Sequence, residues 1–253
     1  MTSFALKIIA VLSMLLDHLF QSDLLGQKQL MDWFGLSMAS SYRLVMIVEP
    51  LGRLAFPIYA FFIAEGCRRT RSQARYILRL LLFGVISEFP YDVAFNPVGQ
   101  PWYGAFTPFS HLNVFFTLAL GAAGIALYER LRGAGKAWYL ACLPAVACAV
   151  IAELLRADYL IFGPMMIYAA YFPSSKGRRL AAMAGVNALI YLGYYTVWFA
   201  YWDISAPIYL AASWAALGLL AFYNGRRGPK LKWLFYAVYP VHLALYMLLK
   251  LAL

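Results

Sequence analysis

The chain of 253 residues is 64% hydrophobic and 13% charged, with a mean hydropathy of +0.69. Soluble domains are about 45–50% apolar and about one quarter charged, so this composition excludes an ordinary soluble domain. The net charge of +10 does not indicate nucleic-acid binding, because most basic residues fall in short turns between apolar segments. Membrane topology and anionic lipid head groups account for basic residues in such turns.

Hydropathy predicts an all-α, polytopic membrane bundle that forms a single domain over residues 1–253. About nine apolar segments approach the ~20 residues that cross a bilayer; they are residues 4–22, 44–66, 73–92, 108–128, 137–156, 159–173, 179–199, 204–223 and 231–252. The first segment lacks a signal-peptide cleavage pattern and is expected to be a retained helix. The sixth would cover only about 22 Å as a helix, so it is expected to be short or re-entrant.

Basic residues mark one side of the predicted bundle. Fifteen of the 21 lysines and arginines lie at Lys7 and in the connections 67–75, 129–136, 174–179 and 224–232. The alternate connections hold only Lys28, Arg43 and Arg156. By the positive-inside rule, this asymmetry predicts a cytoplasmic amino terminus and an external carboxyl terminus. One external connection, residues 93–107, is rich in proline, glycine and aromatic residues and is predicted to cap a cavity.

Ionisable residues within the predicted spans concentrate near the external side. Such residues are costly in a bilayer and indicate function by default. The predicted topology gives one external layer to Asp17, His18, Glu49, Arg53, Glu88, Asp92, His111, Asn113, Glu153 and Asp158. Two histidines, an arginine and several carboxylates at one depth predict a catalytic layer.

Structural explanations compete with this prediction. His18 alone would suit the interface near lipid head groups. Glu49 and Arg53 are four residues apart in the order that favours a helical ion pair, and Glu88 could neutralise Arg53. Pro57 removes the amide that would bond the Arg53 carbonyl, which predicts a kink inside the second span.

The remaining polar residues also have simple interpretations. His111 and Asn113 follow Thr107 and Ser110 at the start of a predicted helix, where capping explains part of the pattern. His242 lies in mid-span beside Pro240 and is expected to pack through a hydrogen bond rather than to act in catalysis.

Metal and nucleophile motifs are absent from the sequence. His18 and His111 have no companion H-E-x-x-H or C-x-x-C spacing, so no metal is expected. There is no G-x-S-x-G elbow and no phosphate-binding glycine loop. Cys67, Cys142 and Cys148 are expected to be reduced, structural thiols.

The second basic connection holds more arginines than orientation requires. As helical residues, Arg68, Arg75 and Arg79 are predicted to line one edge, with Arg69 in the same stretch. Guanidinium groups in such an array suit an anionic ligand that enters from the cytoplasm. Positive-inside topology alone is the competing explanation.

Five stretches of the chain resemble the TraX family, membrane acetylases named after the conjugative-pilus protein that acetylates the pilin amino terminus. They are LKIIAVLSMLLDHLF (6–20), GRLAFPIYAFFIAEGCRRTRSQARYILRLLLFGVISEFPYDVAF (52–95), HLNVFFTLALG (111–121), AELLRADYLIFGPMMIYAAYF (152–172) and YPVHLALY (239–246). The second is the most specific. The family in turn resembles a wider transmembrane acyltransferase group, many of whose members have ten or more spans.

The resemblance implies roles for the residues that match. His18 corresponds to a first-helix histidine that serves catalysis, Arg53 to a buried site arginine, and residues 68–79 to a cytoplasmic arginine motif that handles acyl-CoA. The implied activity is transfer of an acetyl group from cytoplasmic acetyl-CoA to an external acceptor in the bacterial plasma membrane. The acceptor it implies is a peptide amino terminus, with a surface-glycan hydroxyl as the alternative.

In this hypothesis His18 is the general base, because a neutral imidazole suits proton abstraction near neutral pH. Asp17 or a carboxylate of the third predicted span, Glu88 or Asp92, would orient its ring, and His111 is the alternative base. Arg53 and Asn113 would stabilise the developing oxyanion. A proton-coupled transporter is the rival class, but no repeat supports it. A non-catalytic assembly factor is the third possibility. Oligomeric state is left open.

Overall fold

The computed structural model describes residues 1–22, 24–95, 111–194, 205–229 and 231–252, whose regular structure is helical apart from one isolated bridge. The helices are α1 Ser3–Gln21, α2 Gln27–Phe34, α3 Met38–Gly52, α4 Ala55–Arg69, α5 Gln73–Phe95, α6 Val114–Gly133, α7 Trp138–Leu154, α8 Phe162–Tyr171, α9 Lys176–Ala188, α10 Ser205–Ala221 and α11 Lys232–Ala252. A π-helical segment, Leu189–Tyr194, continues α9. Most of the predicted capping connection, 93–107, lies outside the described residues.

The all-α prediction is confirmed, but the count of nine spans is not. Four described segments are long and apolar enough to cross a membrane: Ser3–Gln21, Met38–Arg69, Val114–Gly133 and Trp233–Ala252. Two shorter apolar helices, Trp138–Leu154 and Ala206–Ala221, accompany them. Large apolar side chains such as Leu82, Phe89 and Leu143 are exposed while Asp17, Glu88 and Asn113 are buried. This distribution, polar inside and apolar outside, suits lipid rather than water.

The segment predicted as one span, 44–66, is two helices. α3 ends at Gly52, where the amides of Arg53 and Leu54 bond back to carbonyls three residues earlier. α4 starts at Ala55, so Pro57 lies in its first turn, where a helix leaves amides unbonded in any case. A two-residue break at Arg53 and Leu54 therefore stands where the kink was predicted, and Arg53 caps α3 within the apolar segment Met38–Arg69.

Two other regions differ from the sequence prediction, and a third agrees with it. α6 begins at Val114 rather than at residue 108, because Asn113 caps it. The connection 23–43 contains α2, which ends at Gly35 in a left-handed conformation that glycine adopts without strain. α8 has only ten residues, in keeping with the prediction that this segment is short or re-entrant.

The chain divides into two compact units. Unit 1 comprises Met1–Tyr59, Val93–Phe106 and Asn187–Leu253, and in it α3 packs against α1, α2 and α10 while α11 packs against α1. Unit 2 comprises Ala60–Asp92 and Thr107–Val186, and α6, α7 and α8 pack together in it. The single-domain organisation stays a prediction.

Connections predicted to be cytoplasmic meet within each unit. In unit 1, the amides of Ser3 and Phe4 bond to the carbonyls of Arg226 and Arg227 at 2.9 and 3.1 Å. In unit 2, the Tyr171 hydroxyl donates to Glu129 at 2.9 Å, which joins the ends of α8 and α6. The amino terminus thus lies beside the fourth basic connection, in agreement with the predicted sidedness of unit 1.

The topology can be tested by labelling single cysteines in intact cells. Lys28→Cys and Ala134→Cys replace exposed residues of connections predicted to lie on opposite sides. We expect an impermeant maleimide to label position 28 from outside and position 134 only after permeabilisation. Labelling of position 134 in intact cells would reverse the predicted orientation.

Candidate active site

The buried polar residues of unit 1 gather where α1 meets the end of α3. The Asp17 carboxylate lies 3.5 Å from the Arg53 guanidinium and accepts a bond from Gln21 Nε2 at 3.0 Å. Glu49 is 3.8 Å from the same guanidinium, so the predicted Glu49–Arg53 pair is present. Two carboxylates around one guanidinium leave this cluster with a formal charge of −1.

Close backbone approach allows this cluster to form. Ser13 Oγ donates to the carbonyls of Leu51 and Gly52 at 2.6 and 3.2 Å, which ties α1 to the last turn of α3. Gly52 has no side chain, and a Cβ at this position would overlap the Asp17 carboxyl. Glycine is therefore required at position 52 for Asp17 to lie beside Arg53.

An aromatic side chain holds Arg53 from another helix. The guanidinium carbon lies 5.0 Å from the centre of the Tyr209 ring on α10, a cation–π contact. The Arg53 side chain is 15% exposed. A nearly buried guanidinium supported by a ring and two carboxylates has a fixed position, as a group that stabilises a developing oxyanion requires.

His18 lies one residue after Asp17 but contacts a different helix. Its Nδ1 is 2.7 Å from Nε2 of His242 on α11, and the two rings are nearly parallel, at 25°, with centres 5.0 Å apart. The rings of Phe95 and Tyr239 meet His18 edge-on. No hydrogen bond joins Asp17 to His18 in the described residues. The predicted role of Asp17 in orienting the His18 ring therefore has no supporting contact.

Two predicted site residues of unit 2, Glu88 and Asn113, form a second buried cluster. Glu88 Oε2 accepts bonds from the backbone amide and side-chain amide of Asn113 at 3.1 and 2.5 Å. Asn113 also donates to the Gly84 carbonyl at 2.8 Å and caps α6 by accepting from the Phe115 amide at 3.0 Å. The capping interpretation of Asn113 is confirmed; its oxyanion role stays a prediction.

His111 is exposed and, within the described part of the chain, makes no side-chain hydrogen bond. Its neighbour Leu112 forms an isolated bridge with Ala157. The Leu112 amide donates to the Arg156 carbonyl at 3.2 Å, and the Leu112 carbonyl accepts from the Asp158 amide at 2.8 Å. The role of His111 as an alternative base stays a prediction.

The predicted arginine edge is not one helical edge. Arg68 and Arg69 end α4, whereas Arg75 and Arg79 belong to α5, because the helix breaks at residues 70–72. The spacing of seven residues from Arg68 to Arg75 therefore crosses a turn, and that part of the prediction is wrong. Arg75 and Arg79 remain one helical turn apart, Arg75 exposed and Arg79 packed 5.9 Å from the Tyr76 ring centre.

Glu65 organises three arginines at the end of α4. It lies 3.2 Å from Arg68, 2.8 Å from Arg69 and 3.4 Å from Arg179. Arg68 additionally donates to the carbonyls of Ala170 and Tyr171 and lies over the Tyr171 ring. Three guanidinium groups on one carboxylate leave a net charge of +2 available to an anion.

Sequence reasoning missed Glu65 and Arg179, and it did not pair His242 with His18. Arg179 is 114 positions from Glu65, and its only signal was membership of a basic connection. His242 was expected to pack through a hydrogen bond, which is confirmed by its bond to the Val238 carbonyl, but its contact with His18 was not predicted. No group of histidine, cysteine or acidic side chains that could hold a metal occurs among the described residues.

Comparison with known proteins gives one family and one relative. The family model described as "TraX protein" matches residues 3–250. A protein named "Probable fimbrial assembly protein FimC, serogroup H1", from Dichelobacter nodosus, is 29% identical over 253 residues, covering 96% of this chain and 93% of that protein. No solved structure matches the chain significantly.

Proposed function

The chain belongs to the TraX family, and we propose that it is an integral-membrane acetyltransferase of the bacterial plasma membrane that uses acetyl-CoA. The observation that carries the proposal is the polar cluster of unit 1. On α1 a half-buried imidazole, His18, directly follows Asp17, whose carboxylate pairs with an almost buried guanidinium, Arg53, and these helices are apolar enough to cross a membrane. An imidazole base and a fixed cation are the two groups that acyl transfer needs.

In the proposed reaction His18 removes a proton from the acceptor while the acceptor attacks the thioester carbon. Arg53 stabilises the negative charge that develops on the thioester oxygen, and Asp17 and Glu49 hold its guanidinium in place. The attack forms a tetrahedral intermediate. When it collapses, the carbon–sulfur bond breaks, and His18 passes its proton to the coenzyme A thiolate. No metal takes part in these steps.

The acceptor we propose is the amino-terminal amine of a pilin-like peptide. The name of the Dichelobacter nodosus relative, a probable fimbrial assembly protein, supports this substrate class. A hydroxyl of a surface glycan is the alternative, because the same base and cation would serve an ester-forming acceptor. The two differ in product chemistry, an amide in one case and an ester in the other.

For the donor we propose a binding role for the arginines of α4 and α5. Arg69 is 39% exposed beside Glu65, and Arg75 is exposed on α5. Arg68 is committed to Glu65 and to two backbone carbonyls, so its contribution is to hold the end of α4. The phosphates of coenzyme A are suitable partners for the exposed guanidinium groups.

Donor binding can be measured by thermal stabilisation of the purified protein. Acetyl-CoA is expected to raise Tm, and dephospho-coenzyme A, which lacks one phosphate, is expected to raise it less at the same concentration. Equal stabilisation by both would argue against recognition of that phosphate. No stabilisation by acetyl-CoA at saturating concentration would contradict the proposed donor.

Arginine-to-lysine variants separate donor binding from topology. Arg75→Lys and Arg79→Lys preserve positive charge, so membrane insertion should not change, but a lysine cannot form two parallel bonds to a phosphate. Each is expected to raise the KM for acetyl-CoA about tenfold, which equals about 1.4 kcal/mol. Arg71→Lys, in the exposed turn between α4 and α5, is the control and should match the parent. Parental KM in all three variants would place the donor site elsewhere.

A further inference from the structure

The two histidine rings of unit 1 form a hydrogen-bonded chain with a defined direction. His242 Nδ1 lies 2.9 Å from the Val238 carbonyl oxygen, one turn earlier in α11. A carbonyl oxygen only accepts hydrogen bonds, so His242 Nδ1 must carry the proton of this bond. In the neutral ring, Nε2 of His242 then carries a lone pair.

This lone pair determines the state of His18. His242 Nε2 is 2.7 Å from His18 Nδ1, and because it accepts, His18 Nδ1 must donate. The neutral His18 ring therefore has its own lone pair on Nε2. Within the described residues, nothing hydrogen-bonds His18 Nε2, so its lone pair is available to a substrate.

Aromatic packing keeps the two rings in this arrangement. His242 is 6% exposed, and the rings of Tyr239 and Tyr246 meet it edge-on with centres 5.4 and 5.3 Å away. The Tyr246 hydroxyl also donates to the Leu15 carbonyl at 2.9 Å, which joins α11 to α1 one turn before His18. The register between the two helices is thereby fixed independently of the histidines.

We propose that His242 is a positioning residue that holds His18 in the tautomer with a basic Nε2, an assignment that rests on the proposed function. When the acceptor amine attacks the thioester carbon, its proton moves to His18 Nε2. The resulting imidazolium keeps its Nδ1–H bond to the His242 lone pair, which stabilises the positive charge. The proton then leaves Nε2 for the sulfur of the departing thiolate, which restores the starting tautomer.

Nitrogen NMR on the protein labelled at histidine tests this tautomer without any activity measurement. The sequence has three histidines, so His111→Ala and His242→Ala variants assign the signals. We expect His18 to show a protonated Nδ1 and an unprotonated Nε2 in the parent, and a mixture of tautomers in His242→Ala. A parent protein with His18 protonated at Nε2 would overturn the proposal.

Kinetics distinguish positioning from packing. His242→Ala is expected to lower kcat at least tenfold while the KM for acetyl-CoA stays within twofold, because only the base is misoriented. His242→Gln, whose side-chain oxygen can accept the His18 Nδ1–H bond, should recover most of the loss. Tyr246→Phe is the matched control: it removes a hydrogen bond between the same two helices, and it should lower Tm but not kcat.

The outcomes separate the two proposals. An active parent whose kcat is unchanged in His242→Ala would overturn the positioning role and leave the proposed function intact. If His242→Ala does not fold, the His242→Gln variant tests the proposal instead. A His242→Gln protein that folds like the parent but has less than one tenth of its activity would contradict the proposed hydrogen bond. A parent that transfers no acetyl group would overturn the proposed function and this assignment together, whatever tautomer NMR reports.

Discussion

Replacing His18 with alanine is expected to lower kcat by about two to four decades, the usual contribution of a general base. The reason is that His18 supplies the only unengaged imidazole nitrogen in the described polar cluster of unit 1. Expression and thermal stabilisation by acetyl-CoA should be preserved, since the Arg53 pairs do not involve the ring. Turnover of radiolabelled acetyl-CoA by the purified variant and parent measures the effect.

Near-parental turnover in His18→Ala would transfer the role of base to another residue. The exposed His111 is the first candidate, and a His111→Ala variant measured beside His18→Ala would identify it. Loss of folding is a separate outcome, recognised by a fall in Tm. His18→Asn keeps a nitrogen donor towards His242 without a basic ring, and it should fold like the parent but remain inactive.

A second large effect is expected from Gly52→Ala. The added Cβ would overlap both the carboxyl and the Cβ of Asp17, so α1 and α3 must separate, which also disturbs the pairing of Asp17 with Arg53. Overpacking of this kind costs about 1–3 kcal/mol, and displacement of a buried charge adds to it. We expect a lower Tm together with at least a tenfold loss of turnover.

Two controls isolate the cause of the Gly52→Ala effect. Gly218→Ala, on α10, adds a Cβ with no neighbouring atom within 4 Å and should leave Tm equal or slightly higher. Asp17→Gly removes all the side-chain atoms that the new Cβ would overlap, the Asp17 Cβ included, so in that background Gly52→Ala should cost little further stability. Additive losses in the double variant would show that contact with Asp17 is not the reason.

Hydropathy and charge predicted much of the architecture. The Glu49–Arg53 pair followed from the spacing of opposite charges on a helix, and the helical class and the bounds of α1, to within one residue, followed from apolar length. The short α8 was expected for the same reason, since its apolar segment is too brief to span.

The sequence predictions failed at two breaks between helices. Hydropathy averages over a window, so it did not register the break at Arg53 and Leu54, where the apolar character continues. The helical-edge prediction for Arg68 and Arg75 assumed one continuous helix and failed at the turn between α4 and α5. The predicted spans 44–66 and 73–92 already placed a connection between these two arginines, so the edge prediction disagreed with the span prediction.

The contacts that the sequence did not predict mostly join residues far apart in the chain. His18 and His242 are 224 positions apart, and each alone had a simple packing explanation. Their pairing depends on how α1 packs against α11, which no local pattern encodes. The same holds for Glu65 and Arg179, which only the fold of unit 2 brings together.

The measurement that tests the central claim most directly is acetyl transfer in inverted membrane vesicles supplied with [14C]acetyl-CoA. Vesicles with the parent protein are compared with vesicles that carry His18→Ala, and the label is followed into membrane-bound acceptors before and after hydroxylamine, which cleaves acetyl esters but not acetyl amides. We predict hydroxylamine-resistant label that depends on His18. Hydroxylamine-sensitive label with the same dependence would change the acceptor from an amine to a hydroxyl. No difference between the parent and His18→Ala vesicles would contradict an acetyltransferase site at His18.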